Sequence, residues 1–213
     1  MKVGILGSGN VGQQLAKGFL RTGHEVKIGT RDSAKLEDWL KTAGHGASVG
    51  SFSDAASFGD VIVLATSWAG AESAISLAGN LNFKNKIVID VTNPLDFSNG
   101  TPPKLDSSAG HSAGERIQLW LPYSRIVKAF NTISAFIMIN PKLEEGNPDL
   151  VIAGNDPDAK KTVTEFAKGF GWQNVIDVGD ISQSYLLEAF AMLWIVFGFQ
   201  HNHWSHAFKL LMK

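Results

Sequence analysis

No cysteine occurs anywhere in the 213 residues. That absence removes thiolate catalysis, iron–sulfur ligation and zinc-ribbon chemistry together. Net charge is also missing: 19 Lys and Arg against 20 Asp and Glu leave −1. With no long basic run, this argues against nucleic acid or an anionic membrane surface as the main partner. Long apolar runs are lacking too. Tyr185 to Phe199 falls short of the ~20 residues that span a bilayer and contains Glu188, so it reads as a buried helix, and no membrane partner is expected. The opening Met1-Lys2-Val3-Gly4-Ile5-Leu6-Gly7 enters a strand pattern directly, without the apolar core and cleavage site of a secretory signal. A cytoplasmic location is the expectation. The length suits one globular domain that buries ~70% of its unfolded surface, so neither disulfides nor a structural metal is needed.

What is present is an alternation. Strand-length apolar runs at 2–6, 25–29, 47–49, 61–65, 86–91, 125–129, 149–153 and 174–178 are separated by helix-length segments at 10–22, 33–43, 53–58, 69–79, 111–120, 134–139, 156–170 and 182–210, the last broken. Strand alternating with helix predicts βαβ units and a parallel sheet. Val61-Ile62-Val63-Leu64-Ala65 and Lys86-Ile87-Val88-Ile89-Asp90-Val91 are continuous β-branched runs, which suit central strands covered on both faces. Residues 93–110 form the one long stretch rich in turn residues, and such a loop in a compact domain is usually functional or mobile.

Directly after the first strand stands Gly7-Ser8-Gly9-Asn10-Val11-Gly12, opening a helix whose apolar face carries Val11, Leu15, Phe19 and Leu20. Gly7 permits the tight turn, Gly9 lets the backbone approach a pyrophosphate, and Gly12 lets helix and strand pack closely. The anion then meets unpaired N–H groups at the positive end of the helix dipole. The fold class that follows is α/β, a Rossmann-type doubly wound sheet in three αβα layers. Residues 1–141 are expected to form the nucleotide-binding domain, and 142–213 a small α/β extension that completes the sheet and ends in a long apolar helix.

The second strand runs out into Gly29-Thr30-Arg31-Asp32-Ser33-Ala34-Lys35. Thr30 occupies the place where NAD enzymes usually put an acid for the ribose 2′-hydroxyl, while Arg31 and Lys35 offer the charge a 2′-phosphate needs. NADP(H) is therefore favoured. Asp32 keeps the other reading open, since it lies about twenty residues beyond Gly12 and can itself hold a ribose.

In an open α/β sheet the ligand lies beyond the carboxyl ends of the strands. Thr66-Ser67-Trp68, Thr92-Asn93-Pro94-Leu95 and Phe130-Asn131-Thr132-Ile133-Ser134 are the segments expected there. The plainer roles are helix capping for Thr66 and Ser67, turn closure for Asn93 and Asn131, and packing for Trp68. Titratable candidates near this crevice are few: Lys128, His111 and Tyr185, none in a motif that fixes a role.

Taken together, Gly7 to Gly12, Gly29-Thr30-Arg31, Ser67-Trp68 and Val127-Lys128-Ala129-Phe130-Asn131-Thr132-Ile133-Ser134 resemble the NADP oxidoreductases dependent on coenzyme F420. They are also similar to the cytoplasmic reductase domain of the STEAP metalloreductases. The resemblance extends to Gly179-Asp180-Ile181-Ser182-Gln183-Ser184 and the long helix after it. It implies hydride transfer between NADPH and a deazaflavin (F420) or flavin ring. In that pattern Thr30, Arg31 and Lys35 hold the 2′-phosphate, Asn10 and Val11 lie at the pyrophosphate turn, and Trp68 and Asn131 lie toward the nicotinamide as the catalytic candidates. Two departures stand out. The deazaflavin enzymes carry histidine where this chain has Asn131, and a second basic residue that often follows the arginine is here Asp32.

Transfer between two rings needs stacking and orientation more than proton chemistry, which suits the scarcity of acid–base candidates. The alternatives are an NADPH-dependent imine or β-hydroxy-acid reductase, taking a proton from water or from Thr132 or Ser134, and a non-catalytic NADP(H) sensor or reductase subunit. His201, His203 and His206 invite a metal reading, but no carboxylate or cysteine lies nearby. Packing or a homodimer surface is expected of this aromatic C-terminal helix instead.

Overall fold

A computed structural model describes residues 1–211. Its strands are β1 (Lys2–Leu6), β2 (Glu25–Gly29), β3 (Ala47–Gly50), β4 (Val61–Leu64), β5 (Ile87–Asp90), β6 (Leu95–Asp96), β7 (Lys104–Leu105), β8 (Arg125–Lys128), β9 (Asp149–Gly154) and β10 (Asn174–Asp177). The helices are α1 (Asn10–Arg21), α2 (Glu37–Ala43), α3 (Phe52–Phe58), α4 (Trp68–Ala78), α5 (Ala113–Trp120), α6 (Pro157–Gly169) and α7 (Ser184–His201). Eight strands form one sheet in the order β10-β9-β8-β5-β4-β1-β2-β3. From β3 across to β8 every pairing is parallel. This is the strand order of a doubly wound dinucleotide fold, with its switch point between β1 and β4.

The expected extension joins that sheet with a reversal of direction. β9 pairs antiparallel with β8 through Val127↔Gly154, and β10 runs parallel to β9. The last two strands therefore oppose the first six.

Two apolar layers sandwich the sheet. On one face Leu15 and Phe19 of α1 and Val163 and Phe166 of α6 pack over Val3, Ile5, Val63 and Ile89. On the other, α3, α4 and α5 bury Ala55, Ile75 and Ile117 against Leu6, Ile62, Leu64 and Val88. The β-branched runs in β4 and β5 are buried at every position because both faces are covered.

Three helical expectations are corrected. Residues 33–43 divide into a 3₁₀ turn at Ser33–Leu36 and the short α2, because Asp32 caps the turn by accepting from the Ala34 N–H. Residues 134–139 yield only a 3₁₀ turn at Ala135–Ile137. The last helix stops at Asn202, whose φ of 46° is left-handed. The chain then folds back so that the Asp149 N–H donates to the Phe208 carbonyl and the Leu210 N–H to Asp149 Oδ2. The loop at 93–110 contains the β6–β7 hairpin.

α7 is not wholly buried. Leu187, Glu188, Ala191, Trp194 and Ile195 face the protein, while Leu186, Leu193, Val196 and Phe197 are exposed. By length and composition alone Ile181–His201 is apolar enough to cross a membrane. The histidines after it make local contacts: His206 stacks on Trp194 at 4.6 Å and meets the Trp194 carbonyl through Nε2, and His203 Nε2 meets the Ser205 carbonyl.

Candidate active site

The turn after β1 needs each of its glycines for a different reason. Gly7 has a φ of 127°, and a Cβ there would overlap the backbone of Ala65. At Gly12 a Cβ would overlap the Gly7 carbonyl. Gly9 is different: its backbone is extended, it caps α1 without a side-chain hydrogen bond, and nothing lies within 4 Å of where a Cβ would sit. The open side of Gly9 thus lies at the N-terminus of a twelve-residue helix that no side chain caps, the arrangement that takes an anion.

The chain beside this turn is tied to it. The Gly7 N–H donates to the Gly29 carbonyl at 3.1 Å, and Ser8 Oγ lies 3.1 Å from Thr30 Oγ1. These two bonds join the glycine turn to the end of β2. Together with the end of β4 they form a cleft of about 240 Å³ lined by Gly7, Ser8, Gly9, Thr30, Arg31, Asp32, Lys35, Thr66 and Ser67, among others. Thr66 Oγ1 is buried there with no hydrogen-bond partner. A cradle that a Cβ at Gly9 would fill, two cations at its rim and an orphan hydroxyl all suit a phosphorylated dinucleotide.

Not every expected residue lines this cleft. Val11 turns inward and packs against the core. Asn10 is exposed and lines a neighbouring groove with Gln13, Gln14 and Lys17. Trp68 stacks on Trp120 with ring centroids 5.5 Å apart, and the Arg116 guanidinium lies 4.4 Å from the centroid of the Trp68 ring. That same arginine bonds Asp106, so the stack anchors the 93–110 loop.

A second cluster forms where β5 and β8 end. Asn131 Nδ2 donates to Asn93 Oδ1 at 2.9 Å and to the Leu187 carbonyl of α7 at 3.1 Å, while Asn93 Nδ2 donates to the Asn131 carbonyl at 2.8 Å. Two backbone carbonyls fix both amides. Asn131 Oδ1 is then left buried and unpaired. Pro94 is buried beside this pair. His111 is exposed and Tyr185 half-buried.

Beneath the cluster lies a group that sequence reasoning saw only in part. Lys128, Asp90 and Glu188 have fully buried side chains. The Lys128 ammonium donates to Asp90 Oδ2 at 2.9 Å and to the Thr92 carbonyl at 2.6 Å, and lies 2.8 Å from Glu188 Oε1. Glu188 also accepts from Ser107 Oγ and from the Ala113 and Gly114 N–H groups that open α5. Burial alone would lower the lysine pKa, but the Asp90 and Glu188 carboxylates outweigh it and hold the ammonium above its ordinary value. All three ammonium protons are committed, so Lys128 is a structural cation. One signal was available: each of the three is a single charge inside an otherwise apolar segment, and buried charges require partners.

Comparison with known proteins agrees with the cleft. The family profile for NADP oxidoreductase, coenzyme F420-dependent, matches residues 2–94. The F420-dependent NADP reductase of Methanocaldococcus jannaschii is 31% identical over 212 residues, covering 92% of this chain and 91% of its own. The chain belongs to this reductase family. A structure from Arthrobacter sp. FB24, provisionally named an F420-dependent NADP reductase, superposes with a TM-score of 0.94 at 36% identity over 100% of both chains. Metalloreductase STEAP3 of Rattus norvegicus is 32% identical over 189 residues, which is 88% of this chain but only 36% of the metalloreductase. The chain thus spans about a third of that relative and nearly all of the archaeal reductase.

Proposed function

We propose that this protein transfers hydride between NADPH and the ring of a deazaflavin, coenzyme F420, with a flavin as the alternative acceptor. The observation that carries the reading is the open Gly9 turn at the start of α1, set beside Arg31 and Lys35 in one cleft. Residues 1–141 act as the nucleotide-binding unit, and 142–211 supply the strands and helix that close the acceptor side. When bound, the nucleotide supplies the hydride. The chain's part is binding and orientation. The α1 N–H groups face the pyrophosphate, and Arg31, Lys35 and Thr30 hold the 2′-phosphate.

Acid–base groups free to work are scarce, which favours ring-to-ring transfer over reduction of an imine or β-hydroxy acid. Lys128, for one, has all three ammonium protons given to Asp90, Thr92 and Glu188. A non-catalytic sensor would bind NADPH without oxidising it in the presence of any acceptor. The exposed Leu186, Leu193, Val196 and Phe197 on α7 suit a homodimer in the cytoplasm.

Two variants test the assignment. Arg31→Ala should weaken NADPH binding by about 1.5–3 kcal/mol, the worth of a charged hydrogen bond, and leave NADH nearly unaffected. Fluorescence titration with both nucleotides checks it; equal weakening of the two would make Arg31 structural. Asn131→Leu should lower the hydride-transfer rate by ~10²-fold with little change in NADPH affinity, because reactive geometry is sensitive to small displacements. Rapid mixing reads the rate, and an unchanged value would reduce Asn131 to a turn residue.

A further inference from the structure

The nucleotide cleft carries a negative charge among its positive ones: Asp32 lines it between Arg31 and Lys35. Its position is firmly set. The Asp32 N–H donates to Thr30 Oγ1 at 3.2 Å, the hydroxyl that also meets Ser8 of the glycine turn. Asp32 Oδ1 accepts from the Ala34 N–H at 3.2 Å, while Oδ2 lies 3.9 Å from the Lys35 ammonium. Both side chains are largely open to water, 52% for Asp32 and 73% for Lys35, so the ion pair is loose. Oδ2 is therefore available to a ligand.

We propose that Asp32 is a specificity-determining residue that lets this cleft accept NAD(H) alongside NADP(H). The proposal rests on the dinucleotide reading of the cleft given above and adds a discrimination to it. A carboxylate just beyond the second strand is where a ribose 2′-hydroxyl finds its acceptor, and Asp32 Oδ2 can accept that hydrogen bond. A 2′-phosphate meets the opposite situation: it competes with Asp32 for Lys35 and brings like charge toward a fixed carboxylate. Arg31 offsets this repulsion, and surrounding water softens it. The two effects act in opposite directions on the two nucleotides, so Asp32 compresses the preference for NADP(H).

Isothermal titration of the full chain with NADP⁺ and with NAD⁺, at low ionic strength, tests this without any acceptor. Asp32→Asn keeps an oxygen for the Ala34 N–H, so the turn is retained; Asp32→Ser serves as the second variant, and melting temperature reports folding. In either variant NADP⁺ should bind ~3–10-fold more tightly and NAD⁺ ~3–10-fold more weakly, the scale of a half-exposed charge interaction. The ratio of the two affinities then moves ~10–100-fold by multiplication of those factors. NADP⁺ binding with an unchanged ratio, or parallel changes for both nucleotides, would overturn the role of Asp32 and leave the nucleotide site standing. Failure of the native chain to bind either nucleotide would overturn the dinucleotide reading, and this inference with it.

Discussion

Gly9→Val is expected to abolish NADPH binding, a loss of at least ~10³-fold or about 4 kcal/mol, while the melting temperature stays within a few degrees of the native value. The separation of the two effects follows from the geometry. Gly9 has an extended backbone that any residue adopts, and among the described residues nothing beyond its chain neighbours lies within 4 Å of where its Cβ would sit. The folded protein therefore has no contact for valine to disturb. The branched side chain fills the space in front of the α1 N–H groups, where a pyrophosphate must lie to use them. Gly12→Val is the contrasting control. There the side chain overlaps the Gly7 carbonyl, and the expected outcome is destabilisation, since helix and strand must separate to admit it. Fluorescence titration and thermal melting of the two variants, read together, check the pair. Binding retained in Gly9→Val would place the nucleotide elsewhere.

Lys128→Met should destabilise the fold by about 3–5 kcal/mol, the usual result of removing one partner from a buried ion network. Methionine fills the volume, but Asp90 and Glu188 are then left as two buried carboxylates without their shared cation. Replacing all three groups by apolar ones would remove the uncompensated charges but would leave the Ala113, Gly114 and Thr92 N–H groups without their carboxylate acceptors. The pH dependence carries a definite sign. The Lys128 pKa is raised in the folded state by the Asp90 and Glu188 carboxylates, against the opposing effect of burial. Its contribution is therefore complete below the unfolded value of about 10.5 and is lost as pH rises through the higher folded value. Native protein should lose stability from this source only on the strongly alkaline side, and Lys128→Met should lack that component. Urea unfolding between neutral and alkaline pH measures both. A variant as stable as the native chain would show that the network holds nothing together.

The network also explains why the two polar clusters keep their relation. Glu188 fastens α7 to the N-terminus of α5 and to Lys128 at the end of β8. Its neighbour Leu187 presents the carbonyl that holds the Asn131 amide. The Asn93–Asn131 cluster is thus built over a buried cation, and the cleft beside Arg31 and Lys35 on the glycine turn.

How much of this was legible in the sequence depended on whether the cause was local. The eight strands of the main sheet were readable because strand-length apolar runs alternate with helix-length segments, and most plainly in β4 and β5, where continuous β-branched runs have few uses other than covered strands. The glycine turn was readable because its three glycines answer to three separate steric demands. The direction of β9 was not: an apolar run carries no sign of which way it pairs, and only its docking against β8 decides that. The resemblance placed Trp68 toward the nicotinamide, but its stacking on Trp120 and Arg116 was not legible, because these partners are far away in sequence. Residues 134–139 looked helical from composition, but Ser134 caps only a single 3₁₀ turn. Asp90 and Glu188 were overlooked because a charge in an apolar segment names no partner until the fold brings its partner near.

The most direct measurement is anaerobic rapid mixing of the native protein with NADPH deuterated at the transferring position and either F420 or flavin mononucleotide. The predicted result is stoichiometric loss of NADPH absorbance matched by reduction of the acceptor ring, slowed by a primary isotope effect that marks direct hydride transfer. Tight NADPH binding with no oxidation in the presence of either ring would contradict the account.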